Sequence, residues 1–361
     1  MTILLVILIF VALIVVHEFG HFLVAKMMRV HVDEFGIGYP PRMFSLGTWG
    51  GTEYTLNWLP FGGFVRLFGD EETDEHGRGS YQDASRGTQA LILVAGVLMN
   101  VLAAYVLFAA ALHEGVASVV DAPEPGAPVH LYVTDVVPGS PAAAAGMIAG
   151  DELLSITDAK GVSTELVPES VTAFISTRGG KPLTVTYVHA GATTTASVRP
   201  ANAVVADAPE RPALGIGLAL VSTHGMSWGR SLFEAVPTTW AYLEATVAGL
   251  GSLIVGAVRG TADINQVVGP VGIVSYVGEA AQAGWGTVLK LAGFISINLA
   301  VINLIPIPVL DGGRLVLVGI EAVLRRKAPQ LAVQLVNTIG LALLIILMLV
   351  VTYHDIARLI A

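Results

Sequence analysis

Apolar residues along this chain are gathered into clumps of bilayer length, and between two of the clumps the pattern turns short and alternating. A helix needs about 20 residues to cross roughly 30 Å of hydrocarbon. Four stretches fit: Ile3 to Ala25, Ala90 to Leu112, Val288 to Ile305 and Leu331 to Thr352. The first is interrupted by His17, Glu18 and His21 and lacks a basic leading region and a small-residue cleavage site, so it reads as a span rather than a secretion signal. The second span contains Asn100, and the third contains Asn298 and Asn303. Residues 226–260, with Trp228, Phe233, Trp240 and Leu243 among Ala and Gly, read as an amphipathic segment at the membrane interface.

Residues 115–222 are rich in Pro, Thr, Val, Asp and Gly and hold no long apolar run, which marks a water-facing insert. Here 131–137 reads as a strand, 141–145 as a short helix capped by Gly146, and 152–156 as a strand after Gly150-Asp151. A second helix fits 168–177, and 183–188 with 193–198 form a hairpin around Ala190-Gly191. The phrase VVPGSPAAAAGMIAGDELLSI (136–156) resembles the strand, helix and turn of a PDZ domain. The expected architecture is thus an α-helical polytopic membrane protein of about four spans with a membrane-associated β-hairpin and an inserted α+β PDZ domain. Its regions are 1–114, 115–222, 223–284 and 285–361. His113, His130, His189 and His224 are read as surface residues.

Composition narrows the chemistry. Of 361 residues, 54% are hydrophobic and only 13% charged, which excludes an ordinary soluble enzyme. A net charge of -9 leaves no electrostatic footprint for nucleic acid. There is no cysteine, so any metal must be held by His, Asp or Glu. Short-loop cations set the orientation: Arg314, Arg325, Arg326 and Lys327 between the last two spans, with Lys26, Arg29 and Arg86 by the first loop, read as cytoplasmic. Both termini and the insert then lie outside.

The motif HEFGH (17–21) carries the most chemistry. Spacing of four puts His17 and His21 on one helix face, where they can share zinc, with Glu18 beside them to take a proton from bound water. Alone, so short a motif stands equally as a chance occurrence. Within a span, each ionisable group costs about 2.5–3.5 kcal/mol on insertion scales, which argues for a function. A catalytic zinc takes three protein ligands, and the best third candidate is Asp311 in NLIPIPVLDGGR (303–314), where two prolines break the helix and two glycines allow a tight turn. By itself that stretch also reads as a Pro-Gly turn with a capping Asp. The run EYTLNWLPFGGFVRL (53–67) alternates before a Pro-Phe-Gly-Gly turn and a second strand. It either lines an active-site cavity, offering an edge to substrate, or lies on the cytoplasmic membrane face. Residues 68–83, with Asp70, Glu71, Glu72, Asp74, Glu75 and His76, read as a solvated acidic loop rather than a second metal site.

Together these residues resemble the site-2 protease family of intramembrane zinc metalloproteases (peptidase family M50), in its bacterial RseP and RasP type with an extracytoplasmic PDZ domain. The resemblance covers HEFGHFLVAK, residues 35–67, AGVLMN (95–100), the PDZ phrase, VGPVGI (268–273) and SINLAVINLIPIPVLDGGR (296–314). It implies Zn2+ held by His17, His21 and Asp311, with Glu18 as general base. It further implies that Asn303 holds the substrate backbone or oxyanion, with Asn298, Gly62 and Gly63 as further substrate-binding candidates. Implied partners are single-span membrane proteins such as anti-sigma factors, remnant signal peptides, the bilayer and peptide C-termini at the PDZ domain; the implied location is the bacterial inner membrane. Val97 stands where the family often has proline, and only one PDZ domain fits. VGPVGI has no physical reading from sequence. A scaffold that has lost catalysis would break the zinc set, which is complete, and a transporter would explain neither HExxH nor the PDZ phrase.

Overall fold

The computed structural model describes residues 2–70, 77–116, 118–120, 129–189, 191–204, 208–222, 225–261 and 268–360. In chain order its elements begin with α1 (Thr2–Met27), β1 (Val32–Trp49), β2 (Thr52–Leu67), α2 (Arg86–Glu114), β3 (Ser118–Val119), β4 (Val129–Val136) and α3 (Pro141–Ala144). There follow β5 (Glu152–Asp158), α4 (Pro168–Ser176), β6 (Leu183–His189), β7 (Ala192–Val198) and β8 (Ile216–Ser222). The chain ends in α5 (Trp228–Arg259), α6 (Pro270–Ala283), α7 (Trp285–Asn303), α8 (Asp311–Leu324) and α9 (Gln330–Ile360). It divides into two compact units, Met1–His113 with Met226–Ala361, and Glu114–Gly225.

In the first unit the unbroken apolar runs become helices. Among the described residues five are long and apolar enough to cross a membrane: α1, α2, α5, α7 and α9. The chain is a multi-pass membrane protein. Four of the five cover the spans expected from sequence. The fifth is α5, expected at the interface; its mean hydropathy of 1.3 is the lowest of the set, against 2.8 for α1. Val97 lies within α2, which runs through it as one helix, so the missing proline leaves this segment unbroken.

The unexplained VGPVGI is the start of α6. Asp355 of α9, buried, accepts hydrogen bonds from the backbone N–H of Gly269 at 3.2 Å and of Gly272 at 2.8 Å. It thereby satisfies amides that a helix start leaves without an internal partner. A Cβ on Gly269 would lie 2.6 Å from Asp355 Oδ2 and 2.7 Å from Val351, so this close approach requires glycine.

The hairpin differs from its expected form. Its turn is Gly50-Gly51, both at positive φ, and its first strand is β1, which the sequence pattern did not reveal. Residues 34–37 have partners on both sides, Glu53 to Leu56 on one and Gly63 to Arg66 on the other. The Pro60 to Gly63 stretch therefore carries β2 from one side of β1 to the other instead of joining two strands that pair with each other. Buried Glu34 ties the sheet together, accepting from Thr55 Oγ1 at 2.7 Å and pairing with Arg42 and Arg66, each at 3.3 Å.

The second unit is an antiparallel six-stranded sheet ordered β3-β8-β4-β5-β6-β7 with α3 and α4. Its core joins Leu131, Val133, Ile156, Leu183, Val185 and Leu220 to Ala142, Val171 and Phe174 of the helices. Ser140 caps α3 by accepting from Ala143 N–H at 3.2 Å, and Gly146 leaves the helix at a φ of 79°. His130 and His189 are not bare surface residues: they bond Glu152 at 2.5 Å and Asp151 at 2.9 Å. In the first unit His113 bonds the Met226 carbonyl at 2.8 Å and stacks on Trp228. His224, Ala190 and acidic residues 71–76 lie outside the described residues; Asp70 pairs with Arg314.

Candidate metal centre

α1 carries His17 and His21 on one face, and both are buried. His17 Nε2 lies 3.1 Å from His21 Nε2, and Asp311 Oδ2 lies 2.9 Å from the first and 3.3 Å from the second. Among the described residues these three side chains form a group able to hold one metal ion. A tetrahedral ion with ligand bonds of about 2.0–2.1 Å spaces its ligands about 3.3 Å apart, close to all three edges. His21 Nδ1 donates to the Ile92 carbonyl at 2.8 Å, so its Nε2 turns a lone pair toward the other two atoms. Asp311 Oδ2 is buried with no hydrogen-bond partner. Converging acceptors with no cysteine among them suit a borderline cation such as zinc.

Asp311 arrives from 290 residues away because the chain folds tightly behind it. Pro306 and Pro308 follow the end of α7 and prevent its continuation. A Cβ on Gly312 would lie 2.3 Å from the Leu304 carbonyl oxygen, and one on Gly313 2.2 Å from that of Ile307. Both glycines are thus required by backbone pressed against them, and Asp311 opens α8 with its carboxylate aimed at α1.

α2 supplies the other wall. Gly96 faces the imidazoles so closely that a Cβ would lie 2.4 Å from His21 Nε2 and 2.8 Å from His17 Cε1. In return Gly20 of α1 lets the Ala95 carbonyl approach, where a Cβ would be 2.5 Å away. Close helix approach through small residues is the ordinary way spans associate. Asn100, fully buried, reaches His17 Nδ1 at 3.3 Å, and Ser296 of α7 donates to the Asn100 carbonyl at 2.8 Å. Sequence reasoning gave Ile92, Gly96, Asn100 and Ser296 no part in the site. The readable signal was the spacing of Gly96 and Asn100, which puts them on one helix face.

Of the substrate-binding candidates, Gly63 lies in the sheet where a Cβ would be 3.6 Å from Glu18 Cγ. Gly62, at a φ of 95°, packs under the Tyr39 ring. Asn303 is the half-buried last residue of α7. Asn298 is half-buried and donates to the Phe294 carbonyl of its own helix at 2.8 Å, so its amide is engaged away from the cluster.

A triangle of two buried histidines and a half-buried aspartate, with a glutamate beside it, is the constellation of a metallopeptidase. The chain belongs to peptidase family M50, whose model matches residues 5–347. A Clostridium perfringens protein named as a proposed zinc metalloprotease is 33% identical over 348 residues, covering 96% of each chain. The zinc metalloprotease RasP of Geobacillus kaustophilus is 29% identical over 431 residues, covering 98% of this chain and 97% of its own. The crystal structure of a PDZ domain from a Listeria monocytogenes SdrC-like protein is 22% identical with a TM-score of 0.21, covering 27% of this chain and 93% of that one.

Proposed function

We propose that this zinc metalloprotease, of the site-2 protease type, hydrolyses peptide bonds within or near the spans of single-span membrane proteins. His17, His21 and Asp311 hold the zinc, and Glu18 moves the proton. The observation that carries this reading is the triangle of ligand atoms with edges of 2.9, 3.1 and 3.3 Å. Zinc, when bound, supplies the Lewis acid that makes water nucleophilic near neutral pH and polarises a carbonyl. Glu18, next to His17 on the same helix, accepts the water proton and returns it to the leaving amine. The bare Cα of Gly63 lets the sheet approach that carboxylate. A substrate helix must be opened before it is cut, and the hairpin offers backbone for an extended segment. Anti-sigma-like proteins and remnant signal peptides are the substrate classes, and the 114–225 unit is a PDZ domain that meets peptide C-termini.

The reading includes four spans, with α5 lying obliquely at the outer surface. Contacts between Arg314 and Asp70, Arg86 and Glu321 at 2.8 Å, and Lys327 and Gln82 at 3.1 Å keep α8 on the same side as the first loop. The chain leaves that side through α2 and is back by Asp311, so an odd number of crossings lies between. α7 alone satisfies this parity; α5 with α7 does not, and α6 has only 14 residues. Contacts along α5 agree. Met226 bonds Leu112, the Leu232 carbonyl accepts from Tyr105, and Tyr242 stacks on Phe108, so the first half of α5 stays near the outer end of α2. The insert then faces outside the cytoplasm of a bacterial inner membrane.

Because the chain has no cysteine, single cysteines placed at Arg326 and at Glu114 test the topology with an impermeant thiol reagent on intact cells. Labelling at 114 alone is expected; labelling at 326 alone would invert the model. For the site, Asp311→Asn is expected to lose both zinc and cleavage of a purified single-span substrate. Full zinc occupancy in that variant would make Asp311 a turn residue only.

A further inference from the structure

We propose that Asn100 is a positioning residue for the metal site: its side-chain oxygen accepts a hydrogen bond from His17 Nδ1–H and so fixes His17 Nε2 as the nitrogen that faces the metal. This rests on the ligand reading above.

The argument begins with a mismatch at one amide. Asn100 is fully buried, its Oδ1 has no hydrogen-bond partner, and its Nδ2 is the atom 3.3 Å from His17 Nδ1. With the amide nitrogen as donor there, His17 would carry its proton on Nε2, the nitrogen that lies 2.9 Å from Asp311 and 3.1 Å from His21. It could then offer no lone pair to a metal. Turning the amide over exchanges two atoms of nearly equal shape, frees the His17 Nε2 lone pair for the metal, and leaves Nδ2 where Oδ1 had no hydrogen-bond partner. Oδ1 gains a donor, and His17 takes the tautomer that the Ile92 carbonyl already imposes on His21.

The rest of α2 supports this role. Ile92, Gly96 and Asn100 recur every four residues and share one helix face. The first holds His21, the second gives room to both rings, and the third holds His17. The Asn100 backbone is itself fixed by Ser296 from α7. Metal-bound histidines ordinarily donate their other ring N–H to a carbonyl or carboxylate. Here both acceptors are neutral, so the rings are oriented without adding a further carboxylate to Asp311 and Glu18.

The test is zinc affinity of the purified full-length protein by chelator competition, with helix content and thermal midpoint of the metal-free form as fold controls. Asn100→Ala is expected to raise the zinc Kd about 10–100-fold. Asn100→Asp keeps the shape and the acceptor and is expected to bind zinc at least as tightly as the wild type. In a His17→Ala background, Asn100→Ala is expected to add less than about a twofold loss, because the ring it orients is gone. Wild-type affinity in Asn100→Ala, a tenfold weaker Kd in Asn100→Asp, or an undiminished loss in the His17→Ala background would each overturn the proposal. Unchanged zinc binding by His17→Ala itself would instead overturn the ligand reading beneath it.

Discussion

The two units of this chain are built inside out relative to each other. In the 114–225 unit Leu131, Ile156, Leu183 and Val185 are buried in one core while Thr193, Thr194 and Thr195 of β7 are exposed. In the helical unit the buried side chains include His17, His21, Gln89, Asn100 and Ser296, whereas Leu331, Leu335, Ile339 and Leu343 of α9 are exposed. Water drives the first arrangement by expelling apolar surface. Lipid is as apolar as leucine and exerts no such drive, so the helical unit is organised by close packing at Gly20 and Gly96 and by polar groups that need partners. The same residue type therefore does different work in the two places.

The largest expected effect lies in the helical unit: Glu18→Gln should retain zinc and lower the cleavage rate by about 10²–10⁴-fold, because the ligands remain and the proton acceptor is gone. Wild-type turnover of a purified substrate would remove Glu18 from the chemistry. Next, Leu183→Ala in the sheet core should destabilise the 114–225 unit by about 2–5 kcal/mol, while Leu343→Ala on the lipid face should stay within about 0.5 kcal/mol. Denaturant unfolding in detergent checks both, and equal costs would erase the contrast. Gly96→Ala tests packing against the imidazoles: zinc affinity should fall about 10–100-fold with the sheet unit unaffected. Full zinc affinity would mean that α1 and α2 can separate at no cost to the site.

The smallest effect is one of pH in the sheet unit. Backbone N–H groups of Val162 and Lys160, together with Arg178, hold the Asp158 carboxyl below its ordinary 3.8. A folded value below the unfolded one stabilises above the unfolded value and is lost as pH falls through the folded value. Asp158→Asn should therefore be less stable than wild type at pH 7, with the gap closing below about pH 4. Unfolding curves across that range check the sign, and a gap that widens in acid would contradict it.

How much was legible follows the same division. Strand alternation and the Gly146 and Gly150 turn chemistry are local, so β4, α3, β5, α4, β6 and β7 were readable to within a few residues, whereas β3 and β8 were not read. Spans were readable by length; His17, Glu18 and His21 stood out because ionisable groups are rare at that depth, and Asp311 because zinc needs a third ligand and its Pro-Gly stretch can turn tightly. Which faces meet was not readable. No local pattern says that Gly96 abuts two imidazoles, that Asp355 caps a helix beginning at Pro270, or that Asn298 bonds within its own helix. β1 escaped because Gly36, Gly38, Pro40 and Pro41 break its alternation, and its pairing on both sides of residues 34–37 is settled only by the fold.

The most direct measurement is X-ray absorption at the zinc edge of the zinc-loaded Glu18→Gln protein, repeated after His17→Ala. The account predicts two imidazole nitrogens at about 2.0–2.1 Å with oxygen ligands at about 2.0–2.2 Å, and one imidazole fewer in the His17→Ala form. A zinc shell without histidine, or one that His17→Ala leaves unchanged, would contradict it.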